Sequence, residues 1–380
     1  MSPRARTLAV LAGVMVLAAG CSAGGGKRAS AQSAAAAPST SGAATTAAGA
    51  PKADEFTGIV VAHCDQPTVT LYAFDPNTTM AEGTVREFTV GADSKWVGCM
   101  SHVQTGLFRQ QFNAAMDKMA VSFSGQDGGG HVGYVQADTG SVVDLTPSKS
   151  DDYAGITPAQ SAPVFNPVTG ALWYFDEKST KHYGWYDPAG PGKPHEQSVL
   201  GKYFADMQPR AFYFSSDGTT AFAGEDQYGP VTPDGKHEVY NDPQDGFHVV
   251  QPGQPEHYSE LYPSLSLPAN AKAPRCEPVT WVDDTTFLCV GDGTTGQPRG
   301  LYKMTISGKR LTQVPLLPES ENIPVSPVVS PDRTQVAFLA GGTGNSIDLY
   351  KVSLNGGNPT RVAANIPASL TTGNQVVGWF

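Results

Sequence analysis

The stretch Val328-Val329-Ser330-Pro331-Asp332-Arg333-Thr334-Gln335-Val336-Ala337-Phe338 leads to Asp348-Leu349-Tyr350-Lys351-Val352 and then to Gly356-Gly357-Asn358-Pro359-Thr360-Arg361-Val362. An Asp-containing turn joins two apolar runs of strand length, and a glycine pair turns the chain into a third, polar run. Outward from here, the same order of tight turn, two apolar strands and a polar strand returns six times between Phe56 and Phe380. A unit this small cannot bury its own apolar faces, so its repetition predicts small sheets stacked around an axis: an all-β, six-bladed β-propeller.

The second strand of each blade follows the turn. It is read in Met119-Ala120-Val121-Ser122-Phe123, Ala171-Leu172-Trp173-Tyr174-Phe175, Thr220-Ala221-Phe222-Ala223, Thr286-Phe287-Leu288-Cys289-Val290 and Val336-Ala337-Phe338-Leu339. Third strands carry a large residue near the middle: Val69–Phe74, Val132–Val135, Tyr183–Tyr186, Phe247–Val250, Leu301–Met304 and Leu349–Val352. Gly58-Ile59-Val60-Val61-Ala62 is a second strand with no first strand before it. At the other end of the chain, Asn374-Gln375-Val376-Val377-Gly378-Trp379-Phe380 resembles the first strand Cys276-Glu277-Pro278-Val279-Thr280-Trp281-Val282. The last strand is therefore expected to pair into the first blade and close the ring, leaving no open edge. Seven blades are the alternative if residues 91–108 or 225–245 hold further strands.

Turn chemistry agrees with this register. In Ser216-Asp217-Gly218 and Asp332-Arg333, Asp accepts from backbone amides and Gly supplies positive φ, so Asp217, Asp284 and Asp332 read as structural. Arg333 stands where glycine fits more easily. Taken together, Ser330-Pro331-Asp332, Val336-Ala337-Phe338, Leu349-Tyr350 and Gly356-Gly357 resemble the repeat of the TolB-like propellers, a WD-repeat-like unit shared with the propeller of prolyl oligopeptidases. The likeness is sharpest in the last blade and fair over residues 210–224 and 276–312. It implies a propeller of the bacterial envelope whose relatives bind proteins or peptides.

Arg4 and Arg6 precede an apolar or small stretch from Leu8 to Gly20 that is too short to span a bilayer and reads as a secretory signal. Leu17-Ala18-Ala19-Gly20-Cys21 resembles a bacterial lipobox, which implies acylation of Cys21 and anchoring at the outer face of the cell membrane. The expected organisation is a signal peptide over 1–20, the lipidated cysteine and an Ala/Ser/Thr/Gly tether over 21–53, and the propeller over 54–380. A tether of that composition buries too little apolar surface to fold, and its root-mean-square span is roughly 30 Å.

Without Arg4 and Arg6, 23 Lys and Arg face 35 Asp and Glu. That balance argues against nucleic acid and against polybasic docking on anionic lipid, so the membrane is expected to be met through the lipid anchor only. A monomer is expected. Besides Cys21 the chain has Cys64, Cys99, Cys276 and Cys289, and four cysteines allow three pairings. Cys276 and Cys289 flank a run that reads as a hairpin, which favours their pairing and leaves Cys64 with Cys99. A metal site is the competing reading, but there is no Cys-x-x-Cys and no histidine at ligand spacing beside them, so disulfides of an exported protein are expected.

No Gly-x-Ser-x-Gly elbow, phosphate loop or His-Glu-x-x-His occurs, and no α/β hydrolase region is expected after the last blade. No catalytic residue, metal or cofactor is assigned. The connections between second and third strands carry Asp127, His131, Asp176, Lys178, His182, Glu225, Asp226, Asp292 and Arg299. Such connections converge at one mouth of a propeller channel, which makes these residues the binding candidates. Residues 225–245 read as a long acidic loop on the same face, suited to a basic partner or a cation, although the Asp spacing does not match an EF-hand loop. The function expected is a non-enzymatic scaffold for a protein or peptide of the cell envelope. The alternative is a small-ligand or carbohydrate-active propeller, a hydrolase or lyase, with its site at the channel mouth. Cys21→Ala should move the protein from the membrane pellet to the soluble fraction on cell fractionation; unchanged pelleting would refute the anchor.

Overall fold

Strands apolar on both faces must be covered on both faces, and this requirement organises the molecule. The computed structural model describes residues 58–65, 67–78, 81–95, 108–146, 158–176, 182–188, 195–198, 211–214, 218, 221–224, 230–242, 246–250, 264–269, 276–291, 299–318, 324–341, 346–367 and 373–380. The signal, the tether, Cys21 and Cys99 lie outside them.

Sheet 1 begins with β1 (Ile59–Asp65), β2 (Thr68–Phe74) and β3 (Ala81–Thr89). Sheet 2 is β4 (Lys118–Ser124), β5 (Gly130–Gln136) and β6 (Val142–Asp144); sheet 3 is β7 (Gln160–Phe165), β8 (Leu172–Asp176), β9 (His182–Tyr186) and β10 (His195–Ser198). Two hairpins follow: β11 (Ala211–Phe214) with β12 (Ala221–Gly224) as sheet 4, and β13 (Glu238–Asp242) with β14 (Gly246–Val250) as sheet 5. Sheet 6 is β15 (Glu277–Asp283), β16 (Thr286–Gly291), β17 (Gly300–Ser307) and β18 (Arg310–Pro315). Sheet 7 is β19 (Val325–Val329), β20 (Gln335–Gly341), β21 (Ser346–Ser353) and β22 (Thr360–Pro367). Finally β23 (Gly373–Trp379) pairs antiparallel with β1, from Ile59 opposite Trp379 to Cys64 opposite Gly373, so the last strand completes the first sheet.

Every sheet runs antiparallel between sequence neighbours, as the repeat predicts. The second and third strands fall where the apolar runs place them, with one exception. Phe247–Val250 lies in β14, which pairs with β13 and not, among the described residues, with β12. The acidic stretch 225–245 is accordingly not one long loop. Its residues Glu238–Asp242 form a strand, because pairing with β14 satisfies their backbone and Val239 packs against Phe247 and Phe287, although only Val239 among them is aliphatic. Before β4, Lys95 and Phe112 bridge Ser122 and Met119, so short pieces of chain occupy the first-strand place of sheet 2.

Alternation sends successive residues of one strand to different neighbouring sheets. Ile59 and Val61 pack with Leu339, Leu349 and Val376 at the boundary with sheet 7, whereas Val60 and Ala62 pack with Phe112, Met119 and Val121 of sheet 2. Leu172 and Tyr174 join Ala120 and Val132 of sheet 2; Trp173 and Phe175 join Phe212 of sheet 4. Phe287 and Cys289 meet Val239 and Phe247 of sheet 5, and Leu288 and Val290 meet Val336 and Phe338 of sheet 7. Each core is thus an interface between sheets.

A disulfide joins Cys276, just before β15, to Cys289 on β16, as the hairpin reading expects. A loop of that length restrains the unfolded chain by about 3 kcal/mol. Cys64 is disulfide-bonded as well. The turn Ser330–Gln335 is held by Asp332, which accepts from the Ser330 hydroxyl at 2.6 Å and the Thr334 hydroxyl at 2.8 Å, and Arg333 takes φ 55° in it. Deleting residues 374–380 removes the fully buried Val376 and Val377 together with the β1 ladder. The expected melting temperature falls by roughly 10 °C or more; an unchanged value would show that β23 does not complete sheet 1.

Candidate functional site

The β4–β5 hairpin closes with Ser124 opposite Gly130, over the turn Gly125-Gln126-Asp127-Gly128-Gly129. Two of its glycines are required by geometry. Gly128 has φ 76°, and a Cβ on Gly125 would fall inside the imidazole of His131. Oδ1 of Asp127 accepts the Gly129 amide at 2.8 Å and faces Nε2 of His131 at 3.0 Å. On the other side of the ring, Nδ1 lies 2.7 Å from Oδ2 of Asp144, on the edge strand β6. One imidazole is therefore clamped between two carboxylates, and only a doubly protonated ring donates to both. The Gly129 amide first, and then the His131 charge and hydrogen bond, hold the Asp127 carboxyl below the usual range against the opposing effect of burial.

His131 is 5% exposed, while the Asp144 side chain is 41% exposed. The imidazole is inside and a carboxylate faces out. Oδ2 of Asp127 is buried with no hydrogen-bond partner. Behind the clamp, Asp144 accepts the Thr146 amide at 2.9 Å, Thr146 donates to Gln160 at 2.8 Å, and Gln160 donates to the Tyr186 hydroxyl at 2.8 Å. This relay ties β6 to the first and third strands of sheet 3. Both ring nitrogens of His131 face carboxylates, and no metal-holding group of three His, Cys, Asp or Glu occurs among the described residues.

Asp127 and His131 thus meet directly, with His131 in β5 rather than in the turn. Asp176 ends β8, opposite both Gln160 and His182 in the strand register, which places it beside the relay. Arg299 is exposed and precedes β17, at the equivalent connection of sheet 6. Lys178, Glu225, Asp226 and Asp292 lie outside the described residues. Asp144 was not legible as a partner of His131: it comes 13 residues later on an exposed edge strand, with no motif linking the two.

Two further acids stand out in the 230–242 segment. Asp234 accepts from the Thr232 hydroxyl at 2.7 Å and the Lys236 amide at 3.0 Å, which lower its carboxyl to about 2. Glu238, at the start of β13 and opposite Val250, is 4% exposed, and its Oε1 has no hydrogen-bond partner. Burial pushes its carboxyl up to about 8.

Antiparallel sheets that follow one another in the chain and pack face to face, with the last strand completing the first sheet, have the arrangement of β-propeller blades. TolB-like β-propeller proteins are among its structural neighbours. TolB from Acinetobacter baumannii is 12% identical, with 81% of this chain and 67% of that chain covered at a TM-score of 0.38. Oligogalacturonate lyase from Vibrio parahaemolyticus is 14% identical, with 80% and 74% covered at 0.38. A puromycin-hydrolyzing peptidase from Mycobacterium tuberculosis is 14% identical at 0.37, and the match spans 68% of this chain and about half, 49%, of the peptidase. At these scores the likenesses decide nothing about activity. No protein-family model matches the chain, and no curated protein is similar to it.

The buried acid has a pH signature. Folded Glu238 holds its proton up to about pH 8, against 4.5 for an ordinary glutamate, so the folded state binds more protons between those values. Its stability contribution is complete below 4.5 and is lost as pH rises through about 8. Glu238→Gln should flatten the fall in melting temperature across that window; a slope identical to that of the unmodified protein would show that Glu238 ionises normally.

Proposed function

We propose that this protein is an exported, six-bladed propeller, anchored through acylated Cys21 to the outer face of the bacterial cell membrane, that binds a protein or peptide of the envelope by its basic groups. The observation that carries this reading is the Asp127–His131–Asp144 clamp. Two carboxylates around one buried imidazole leave an excess negative charge at a hairpin end, with Asp144 turned outward. A Lys or Arg side chain brought there gains a charge-assisted hydrogen bond. With 35 acidic against 25 basic residues, the chain's own field favours the approach of such a partner. Burial of the imidazole supports binding over acid–base chemistry, because a proton-transfer group must reach the reacting atom.

Six blades are favoured by the way the faces are used. Sheet 4 packs on sheet 3 through Phe212, and sheet 5 packs on sheet 6 through Val239 and Phe247. Together these two hairpins supply the two faces that a single blade requires. The remaining boundaries join sheets 6, 7, 1, 2 and 3 in succession. One composite blade then closes the ring.

A photo-reactive residue in place of the exposed Gln126, beside Asp127, tests the reading in intact envelopes, with one in place of the exposed Asn355, in the β21–β22 turn, as control. The expected result is a defined adduct from position 126 only, lost when Asp127→Asn and Asp144→Asn are combined in a protein of native melting temperature. Equal labelling from both positions would refute the assigned face, and no adduct from either would favour a small ligand.

A further inference from the structure

Arg109 lies in the short segment that fills the first-strand place of sheet 2. The Gln111 carbonyl there accepts from the Ala120 amide at 2.7 Å, and the Gln110 carbonyl accepts from the Phe165 amide of β7 at 2.6 Å. On the other side, Phe108 and Phe112 pack in the core that includes Val377, with Phe380 against it. The segment therefore sits between the first strand of sheet 3 and the end of β23, among the innermost strands.

The guanidinium is fixed but not neutralised. Nη1 donates to the Phe112 carbonyl at 2.8 Å and to the Asn113 carbonyl at 3.3 Å, and Cζ stands 5.6 Å from the centre of the Phe380 ring. Those contacts use one nitrogen. Among the described residues Nε–H and Nη2–H make no hydrogen bond, and no carboxylate pairs with Arg109. Burial alone brings it well below the usual guanidinium range, to about 10.

The free donors are adjacent. Nε–H and Nη2–H form the edge of a guanidinium that matches both oxygens of one carboxylate or two of a phosphate. The carbonyl contacts and the aromatic ring hold this edge in place before any ligand arrives, so little side-chain freedom is left to lose on binding. We propose that the Nε–Nη2 edge of Arg109 is a binding site for an oxyanion, a carboxylate or phosphate group of a ligand that reaches the innermost strands. The site is independent of the acidic clamp on the β4–β5 hairpin, which selects the opposite charge.

Calorimetric titration of the full-length protein with N-acetylaspartate and, separately, with inorganic phosphate, both at constant ionic strength set with chloride, tests the site. Saturable one-to-one binding of at least one of them is expected, and the probe that binds identifies the group as carboxylate or phosphate. Arg109→Lys keeps the charge and a carbonyl contact but loses the two-pronged edge, so binding should weaken about tenfold or more, while Asn355→Ala in the exposed β21–β22 turn should leave it unchanged. The absence of saturable binding for both probes, or equal binding by Arg109→Lys with a native melting temperature, would overturn the proposal.

Discussion

The structure depends on sheets whose second strands are buried on both sides. All six residues of β16 and the first four of β1 are buried, so neither sheet 6 nor sheet 1 can stand with one face in water. The only economical arrangement is for each sheet to be the cover of the next. From this follow the repeat, the short turns between strands, and the return of β23 to a sheet begun more than three hundred residues earlier in the chain. The turns need only to reverse the chain, and the acids in them serve that purpose: Asp332, Asp283 and Asp127 each accept backbone or hydroxyl donors within two or so residues.

Much of this was legible because it is local. The alternating or continuous apolar runs of β4, β8, β16, β20 and β21 identify themselves, and the likeness of Asn374–Phe380 to Cys276–Val282 points to the pairing of β23 with β1. Glu238–Asp242 was read as loop because Glu-Val-Tyr-Asn-Asp offers one aliphatic residue and three ionisable or amide side chains; its strand character comes from β14 and from the neighbouring sheet. The site was half legible for the same reason. Asp127 and His131 are four residues apart on one hairpin, whereas Asp144 reaches the ring from a separate edge strand, Val142-Val143-Asp144, that no motif links to that hairpin.

Three ionisable groups are held in place by their surroundings in different ways. The clamp places two carboxylates about one imidazole on a hairpin end, while Arg109, fastened by carbonyls and an aromatic ring, stands among the first strands with no acid paired to it among the described residues. Glu238 is a third case, a carboxyl in an apolar setting that stays protonated through neutral pH. In each, the backbone or an apolar contact fixes the group, and a fixed charge has less reorganisation to undergo when something meets it.

Alternation along β16 and β20 means that residues adjacent in sequence are strangers in space. Phe287 shares its surroundings with Val239 and Phe247, Leu288 with Val336 and Phe338, although one peptide bond separates them. The parity of a position, more than its place along the strand, therefore decides which boundary senses a change there. A drift in one boundary can be compensated by residues of the same parity on the facing sheet without disturbing the other, so each seam is free to diverge on its own while the strand that serves both keeps its register.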